Sequence, residues 1–198
     1  MNPGIKLLLA SSSPRRAEIL RDAGFTFSVV SSAVDETPLP GESPQEHTQR
    51  LAIAKAELVA AGADGPAIVI AADTVVTVDD RIIGKPRSTD DARQILEQLS
   101  GRTHSVLTAV ALIRLPGAER RAFVETTFVQ FSTLSSDEIS SYLATEEPYD
   151  KAGAYAIQGL AGRYIPRIEG CYFNVVGLPL SRVTQALIEL GWTESPTQ

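Results

Sequence analysis

The chain has 198 residues, 43% of them apolar and 21% charged, which suits one α/β domain with a buried core and excludes a disordered or fibrous protein. Its net charge of −6 argues against broad binding to nucleic-acid backbones, and no apolar stretch is long enough to span a membrane. A single cysteine permits no internal disulfide and the N-terminal segment has no signal-peptide core, so the expected compartment is the cytoplasm.

Apolar runs of strand length alternate with segments of helical period along the whole chain. Strands are predicted at 5–10, 25–32, 103–115 and 120–134, with a strand pair or a strand and loop at 162–177. The range 67–84 is predicted to begin as a buried strand and to pass through Asp73 into a hairpin that turns near Asp79 and Asp80. Helices are predicted at 14–23, 43–62, 88–101, 135–147 and 179–192. This interleaving predicts a mixed α/β architecture with some antiparallel pairing.

The first predicted strand runs into a hydroxyl-rich turn that begins at Ser11, and the helix that follows places Arg15 and Arg16 in its first turn. The helix dipole disfavours cations at this end, so two arginines there need a multiply charged anion to offset the repulsion. Backbone N–H groups, hydroxyls and guanidinium groups together match a phosphate or polyphosphate. An ordinary serine N-cap with solvated arginines is the alternative that these residues leave open.

Two acidic positions are candidates for catalysis or metal binding. Asp73 follows a buried apolar run and is expected where that strand ends, which is a usual place for a catalytic base or a metal ligand. Asp35 and Glu36 lie in a polar loop, and with Asp73 they could hold a hard ion such as Mg²⁺. The alternatives are a turn-starting aspartate at position 73 and solvated loop charge at 35 and 36.

Isolated polar side chains elsewhere could complete a nucleotide site. Lys85 lies on a rigid Gly-Lys-Pro turn and Lys55 on a predicted helix, and each suits either a phosphate contact or a solvated lysine. Gln158 can donate and accept hydrogen bonds, as recognition of a base edge requires, although its stretch also suits a tight core crossing. Together these residues favour hydrolysis of a nucleotide phosphate without indicating which bond breaks.

Eight motifs resemble, in sequence and in order, those of the Maf nucleoside triphosphate pyrophosphatases: LASSSPRRAEIL, VDE, RLAIAKA, AADTVV, GKPR, LSGRTHSVLTAV, YDKAGAYAIQG and VVGLPL. The resemblance implies a single Maf-like domain over residues 1–198, elongated and α/β, with a deep cleft between lobes and a fold similar to that of inosine triphosphate pyrophosphatases. It also implies a homodimer, a nucleoside triphosphate substrate, a divalent metal cofactor (Mg²⁺ or Mn²⁺) and cleavage between the α and β phosphates.

The same resemblance implies roles for particular residues. Asp73 is expected to accept a proton from the attacking water and, with Glu36, to bind the metal. Phosphate oxygens are expected to be held by Ser11, Arg16, Lys55 and Lys85. Three further substrate-binding positions match the branch similar to dTTP/UTP pyrophosphatases: Arg15, Thr74 and Gln158. The expected function is hydrolysis of dTTP and UTP, with a house-cleaning role toward modified nucleotides. Alternatives are a pyrophosphatase for 7-methyl-GTP or other modified nucleotides, and a nucleotide-sensing regulator of cell division.

Overall fold

The fold is seen in a computed structural model, which describes residues 5–193. Its strands are β1 (Lys6–Ala10), β2 (Ser28–Val30), β3 (Ala67–Val78), β4 (Arg81–Ile83), β5 (Thr103–Leu115), β6 (Glu119–Gln130) and β7 (Arg167–Glu169). Its α-helices are α1 (Pro14–Asp22), α2 (Pro44–Ala61), α3 (Thr89–Leu99), α4 (Ser136–Leu143), α5 (Tyr172–Val176) and α6 (Leu180–Glu189). Two short 3₁₀-helices span Ala152–Ala154 and Leu160–Tyr164.

The strands form one mixed sheet in the order β2-β1-β3-β5-β6-β7, and β4 pairs with β3. Strand β1 is parallel to both β2 and β3, because α1 and α2 supply the crossovers that parallel pairing requires. Tight connections give the antiparallel pairs, such as β3 with β4. The predicted mixed α/β class is therefore confirmed. No helix in the described part of the chain combines the length and hydrophobicity needed to cross a membrane.

The described residues divide into two compact units. The first unit comprises residues 5–73, 109–124 and 177–193, and the second comprises residues 74–108 and 125–176. Each unit has its own apolar cluster: small alanine and valine side chains dominate the first, and larger aliphatic and aromatic side chains dominate the second. The expectation of a single domain stays a prediction.

Helix α2 fits closely against the sheet of the first unit. Ala52 and Ala56 on the helix are buried in one cluster with Ala71 on β3, and such small side chains let a helix approach a sheet. The helix begins at a capping box, in which Ser43 and Glu46 bond to each other's backbone N–H groups, as the sequence predicts. This packing sets the distance between α2 and the middle of β3.

Strand β3 does not end at Asp73, so that prediction is wrong. Four residues, Val75 to Val78, continue the strand because they are β-branched and because three of them pair with β4. The chain turns only at Asp79 and Asp80, whose positive φ angles of 50° and 58° suit a tight hairpin. Pairing of β1 with β3 stops at Ala71 and pairing with β4 starts at Val76, so Asp73 lies in a stretch of β3 that neither strand covers.

Two further predicted segments differ from the structure. The second strand covers only Ser28–Val30 of the predicted range 25–32. The range 162–177 contains the end of a 3₁₀-helix, the short strand β7 and helix α5 rather than a strand pair. Glycine at 170, with a φ of 124°, ends β7 in a backbone conformation that other residues avoid, so the strand cannot continue through it.

Candidate active site

The centre of the candidate site is an ion-pair cluster in the first unit. The Lys55 ammonium donates to Asp73 Oδ1 at 2.7 Å and lies 2.6 Å from Glu36 Oε1. Lys55 and Asp73 are 7% and 9% exposed, whereas the Glu36 side chain is 62% exposed. The cluster therefore places one buried carboxylate and one open carboxylate on the same cation.

Strand geometry explains why Asp73 meets Lys55. Alternate residues of a strand share a face, so Asp73 projects with Val69 and Ala71, which pack in the apolar cluster that includes α2. Lys55 adjoins the buried Ala56 on that helix and reaches the strand from its packed side. Glu36 and Asp73, which the sequence places together, thus meet at Lys55, whose contact with them was not predicted. The roles of all three residues stay predictions.

The predicted anion turn is also organised by side-chain hydrogen bonds. Arg16 donates from Nη1 to Ser11 Oγ at 3.1 Å and from Nε to the Gly177 carbonyl at 2.8 Å. The Ser13 backbone N–H also donates to Ser11 Oγ, at 3.2 Å, and the Ser13 side chain makes no cap bond of its own. Ser11 therefore organises this turn, and Ser13 holds the N-cap position through its backbone alone.

Electrostatics link Arg16 to the ion-pair cluster. Burial lowers the pKa of Arg16, the Asp73 carboxylate opposes that change, neighbouring Arg15 lowers the pKa further, and Glu36 raises it. The repulsion by Arg15 adds to the effect of the helix dipole that the sequence predicts for cations in this turn. Arg16 thus interacts electrostatically with the same two carboxylates, Asp73 and Glu36, that contact Lys55.

The loop that carries Glu36 is braced by residues that the sequence analysis missed. The buried Glu42 carboxylate accepts from Arg50 Nε at 2.5 Å and Nη2 at 2.8 Å, and it lies 3.1 Å from His47 Nδ1. The Arg50 hydrogen bonds are the main reason why the pKa of Glu42 falls to about 2, against the opposing effect of burial. Asp35 binds the Thr37 backbone N–H instead of joining the cluster.

The second unit brings the Lys85 turn next to the segment that leads to Gln158. The Gly153 N–H donates to the Gly84 carbonyl at 3.1 Å, which joins the two loops. Gly153 has a φ of 75°, and a Cβ there would lie 3.1 Å from Val76, so glycine is required for this close approach. Lys85 and Gln158 are both exposed.

Thr74 is placed differently from its neighbour Asp73. Successive residues of a strand project to opposite faces, so the Thr74 side chain points away from the face that Asp73 shares with α2. Its hydroxyl lies 2.9 Å from the Thr108 hydroxyl, which donates to the Asn174 carbonyl at 3.0 Å. The predicted contact of Thr74 with substrate stays a prediction.

The cluster has the components for phosphate chemistry. Asp73 is a carboxylate that could accept a proton, and the Lys55 and Arg16 side chains supply positive charge for phosphate oxygens. No group of three or more His, Cys, Asp or Glu side chains that could hold a metal ion is found within residues 5–193. Any divalent ion would therefore need further ligands from the substrate or from water.

Comparison with known proteins gives relatives over nearly the whole chain. The dTTP/UTP pyrophosphatase of Syntrophus aciditrophicus (strain SB) is 48% identical over 186 residues, 94% of this chain and 90% of that protein. The dTTP/UTP pyrophosphatase of Symbiobacterium thermophilum (strain DSM 24528 / JCM 14929 / IAM 14863 / T) is 49% identical over 187 residues, 94% of this chain and 95% of that protein.

A solved structure and a family model complete the comparison. The structure of a HAM1 protein from Coxiella burnetii matches with a TM-score of 0.53 at 14% identity, covering 93% of this chain and 99% of that one, which is a likeness of fold alone. A family model described as Maf-like protein matches residues 6–190. The resemblance predicted from the eight motifs is thereby confirmed, and the chain belongs to the Maf family.

Proposed function

We propose that this protein is a nucleoside triphosphate pyrophosphatase that hydrolyses dTTP and UTP between the α and β phosphates. The observation that carries the proposal is the buried Asp73 carboxylate beside the Lys55 ammonium, in a family whose similar members are named dTTP/UTP pyrophosphatases. A buried base next to fixed cations suits attack of water on a phosphate, in which positioning and charge stabilisation provide most of the catalysis.

The proposed reaction uses Asp73 as the general base. Asp73 takes a proton from a water molecule, and the water oxygen forms a bond to the α phosphorus. The bond between that phosphorus and the oxygen that bridges to the β phosphate breaks, and pyrophosphate leaves with the bonding electron pair. The products are the nucleoside monophosphate and pyrophosphate, and the proton on Asp73 returns to solvent.

Positive groups are proposed to hold the triphosphate. An ammonium group carries three N–H bonds, and Lys55 directs hydrogen bonds to Asp73 and Glu36, so a third remains for a phosphate oxygen. The Arg16 guanidinium, which Ser11 and Gly177 hold in place, has the planar set of N–H donors that matches phosphate oxygens. In the second unit, Lys85 is proposed as a further phosphate contact on the basis of its motif.

Glu36 and Asp73 also fit a divalent metal ion. Their carboxylates converge on one cationic group at 2.6 and 2.7 Å, and oxygen donors of this kind suit Mg²⁺ or Mn²⁺. Two carboxylates leave coordination positions for substrate phosphates and water, which is how Mg²⁺ is commonly held. When bound there, the ion would neutralise charge on the phosphate oxygens.

Choice of the base is proposed to lie with Arg15, Thr74 and Gln158, the three positions that match the dTTP/UTP branch by resemblance. An amide such as Gln158 can pair with the O4 and N3 edge of uracil or thymine. A methylated guanine carries positive charge and favours a carboxylate and an aromatic stack instead. The homodimer and the cytoplasmic location implied by the resemblance stay predictions.

The test is a substrate panel with identification of the products. Purified protein is incubated with dTTP, UTP, CTP, GTP or 7-methyl-GTP in ¹⁸O-labelled water, with and without Mg²⁺ or Mn²⁺, and products are resolved by phosphorus NMR. We expect pyrophosphate and a labelled monophosphate from dTTP and UTP. Label in the pyrophosphate would place the attack at the β phosphorus, and a diphosphate product would mean that the wrong bond is assigned.

The Asp73→Asn variant tests the proposed base. It should turn over about 10²–10⁴-fold more slowly, since that is the usual contribution of a general base. Asp64→Asn, at an exposed position of the same unit, is the matched control and should retain wild-type turnover. Full activity in Asp73→Asn would remove Asp73 from the mechanism, and no turnover of any nucleotide by the wild type would favour a nucleotide sensor.

A further inference from the structure

Glu147 ties together three parts of the second unit. Its carboxylate accepts from the Tyr142 hydroxyl at 2.8 Å, from the Leu160 N–H at 2.8 Å and from the Ala161 N–H at 3.1 Å. Tyr142 is only 1% exposed and packs in the apolar cluster of this unit. Leu160 and Ala161 begin the 3₁₀-helix that directly follows Gln158 and Gly159. The carboxylate therefore connects a fixed core residue to the backbone next to Gln158.

The packing around this carboxylate leaves no space at Gly159. A Cβ on Gly159 would lie 2.1 Å from Glu147 Oε2 and 2.5 Å from its carboxyl carbon. The φ of Gly159 is −107°, which any residue adopts, so a side chain here would displace the carboxylate rather than strain the backbone. The Glu147 carboxylate is therefore in close contact with the backbone at Gly159.

Backbone hydrogen bonds close two consecutive turns, one that contains Gln158 and one directly after it. The Gly159 N–H donates to the Ala156 carbonyl at 3.1 Å, and the Gly162 N–H donates to the Gly159 carbonyl at 3.1 Å. Hydrogen bonds from Leu160, Tyr142 and Ala161 lower the pKa of Glu147 although burial alone would raise it, so the carboxylate is held in its charged, accepting form. Residues 156–161 are called the Gln158 loop below.

We propose that Glu147 is a positioning residue for base selection, which acts by fixing the Gln158 loop through the Leu160 and Ala161 N–H groups. The inference rests on the proposed function, in which Gln158 reads the base. A glutamine amide can turn either its NH₂ group or its carbonyl toward a ligand, so its selectivity depends on how the surrounding backbone holds it. Loosening the loop should lower discrimination between bases without removing the phosphate chemistry.

The main test is a comparison of nucleotides in Glu147→Gln. This variant keeps the size of the side chain but replaces one accepting oxygen with an NH₂ group that cannot accept from the backbone. We expect the ratio of kcat/KM for dTTP over CTP to fall about tenfold, chiefly through KM for dTTP, with kcat retained. Glu146→Gln, at the exposed neighbouring position, is the matched control and should keep the wild-type ratio.

A double variant separates positioning from general support of the fold. If Glu147 acts through Gln158, then Glu147→Gln should cause no further loss of selectivity in a Gln158→Ala background. An unchanged ratio in the single variant, or additive losses in the double variant, would overturn the inference. A wild type that hydrolyses nucleotides without any base preference would overturn the proposed function, and this inference with it.

Hydrogen exchange tests the anchor independently of any substrate. Leu160 and Ala161 donate to different oxygens of Glu147 and glutamine keeps only one of them, so at least one of the two amides should exchange at least tenfold faster in Glu147→Gln than in the wild type, with no change in β1 or α1. Gly159→Ala provides a second variant if Glu147→Gln fails to fold, since its methyl group should displace the carboxylate and give the same exchange pattern and the same loss of selectivity. Unchanged exchange at both amides would overturn the anchor.

Discussion

The ion-pair cluster of the first unit and the Gln158 loop of the second unit are held together by different kinds of contact. Full charges meet in the cluster, where the Lys55 ammonium holds two carboxylates and Arg16 lies in their field. In the loop, a single carboxylate holds neutral backbone N–H groups, and the neutral amide of Gln158 is exposed. A triphosphate is common to all nucleoside triphosphates, whereas the base is not. Charged groups therefore suit the reaction at the triphosphate of any nucleotide, and neutral groups suit discrimination between bases.

The two regions should also fail in different ways. A buried ion pair contributes little net stability while intact, but removal of one partner leaves an uncompensated buried charge. A hydrogen bond between the neutral Gln158 amide and a base would contribute about 0.5–1.5 kcal/mol, so its loss should change affinity for the nucleotide moderately. Substitutions in the cluster should hence lower turnover of every nucleotide by the same factor. Substitutions in the loop should change the ratio of kcat/KM values between nucleotides.

Replacement of Lys55 by methionine should give the largest effect on stability. Asp73 would lose the cation that accompanies its burial, so we expect the free energy of unfolding to fall by about 3 kcal/mol and Tm by about 6–12 °C. Turnover of dTTP, UTP and CTP should fall by one common factor. Calorimetry and the substrate panel measure the two effects, with Lys6→Met at an exposed position of β1 as the control.

The same variant also tests the metal proposal. Without the lysine, Glu36 and Asp73 lose the cation that they share, so Mg²⁺ or Mn²⁺ should raise the Tm of Lys55→Met more than that of the wild type. An equal shift in both proteins would argue against these carboxylates as metal ligands. An unchanged Tm for Lys55→Met in the absence of metal would contradict the ion-pair argument itself.

Lowering the pH should lower the free energy of unfolding because of His104, a buried residue of the second unit. Burial lowers the pKa of His104 from 6.5 to about 4, and its Nε2 lies 2.7 Å from the hydroxyl of Tyr155, in the segment that leads to Gln158. The unfolded chain binds this proton first as the pH falls. Stability should therefore decrease from about pH 6.5 down to about pH 4 and not further on this account, by about 3 kcal/mol in total.

The measurement is the pH dependence of urea unfolding in the wild type and in His104→Gln. Glutamine does not titrate and its amide can still bond to the Tyr155 hydroxyl. The variant should show a shallower decline between pH 6.5 and pH 4, by up to the same 3 kcal/mol. Parallel curves for the two proteins would show that His104 is not the group responsible.

Local signals in the sequence were enough to predict much of the fold. The capping box at Ser43 and Glu46 defines the start of α2 without reference to the rest of the chain. The hairpin that turns at Asp79 and Asp80 was predicted correctly, whereas Asp73 was wrongly expected at the end of the buried strand because it interrupts an apolar run. An aspartate within a strand is tolerated here because Lys55 compensates its charge.

Contacts between distant residues could not be predicted in the same way. Asp73 meets Lys55 because of how α2 packs on β3, and the brace between Glu42 and Arg50 joins a loop to a helix without any motif. The crowding at Gly159 arises from a carboxylate twelve residues earlier and has no local turn signal. The motif resemblance predicted which residues form the site, whereas the structure supplies the contacts between them.

The smallest effect is expected from Gln158→Glu, and it tests the comparison most directly. Thymine and uracil present the O4 acceptor, to which an amide NH₂ can donate and a carboxylate cannot. Cytosine presents an N4 amino group, from which a carboxylate can accept, and 7-methylguanine carries positive charge. The variant should therefore lose about tenfold in kcat/KM for dTTP and gain relative activity toward CTP and 7-methyl-GTP.

The control for this change is Gln98→Glu, which adds the same charge at an exposed position of α3 in the same unit and should leave all ratios unchanged. Since the added charge repels every triphosphate equally, a uniform decline across the panel would indicate an electrostatic effect on phosphate binding and not base selection. Only a change in the order of preference would place Gln158 at the base. Such a change, beside a uniform decline in Lys55→Met, would show that the two regions divide the work between selection and catalysis.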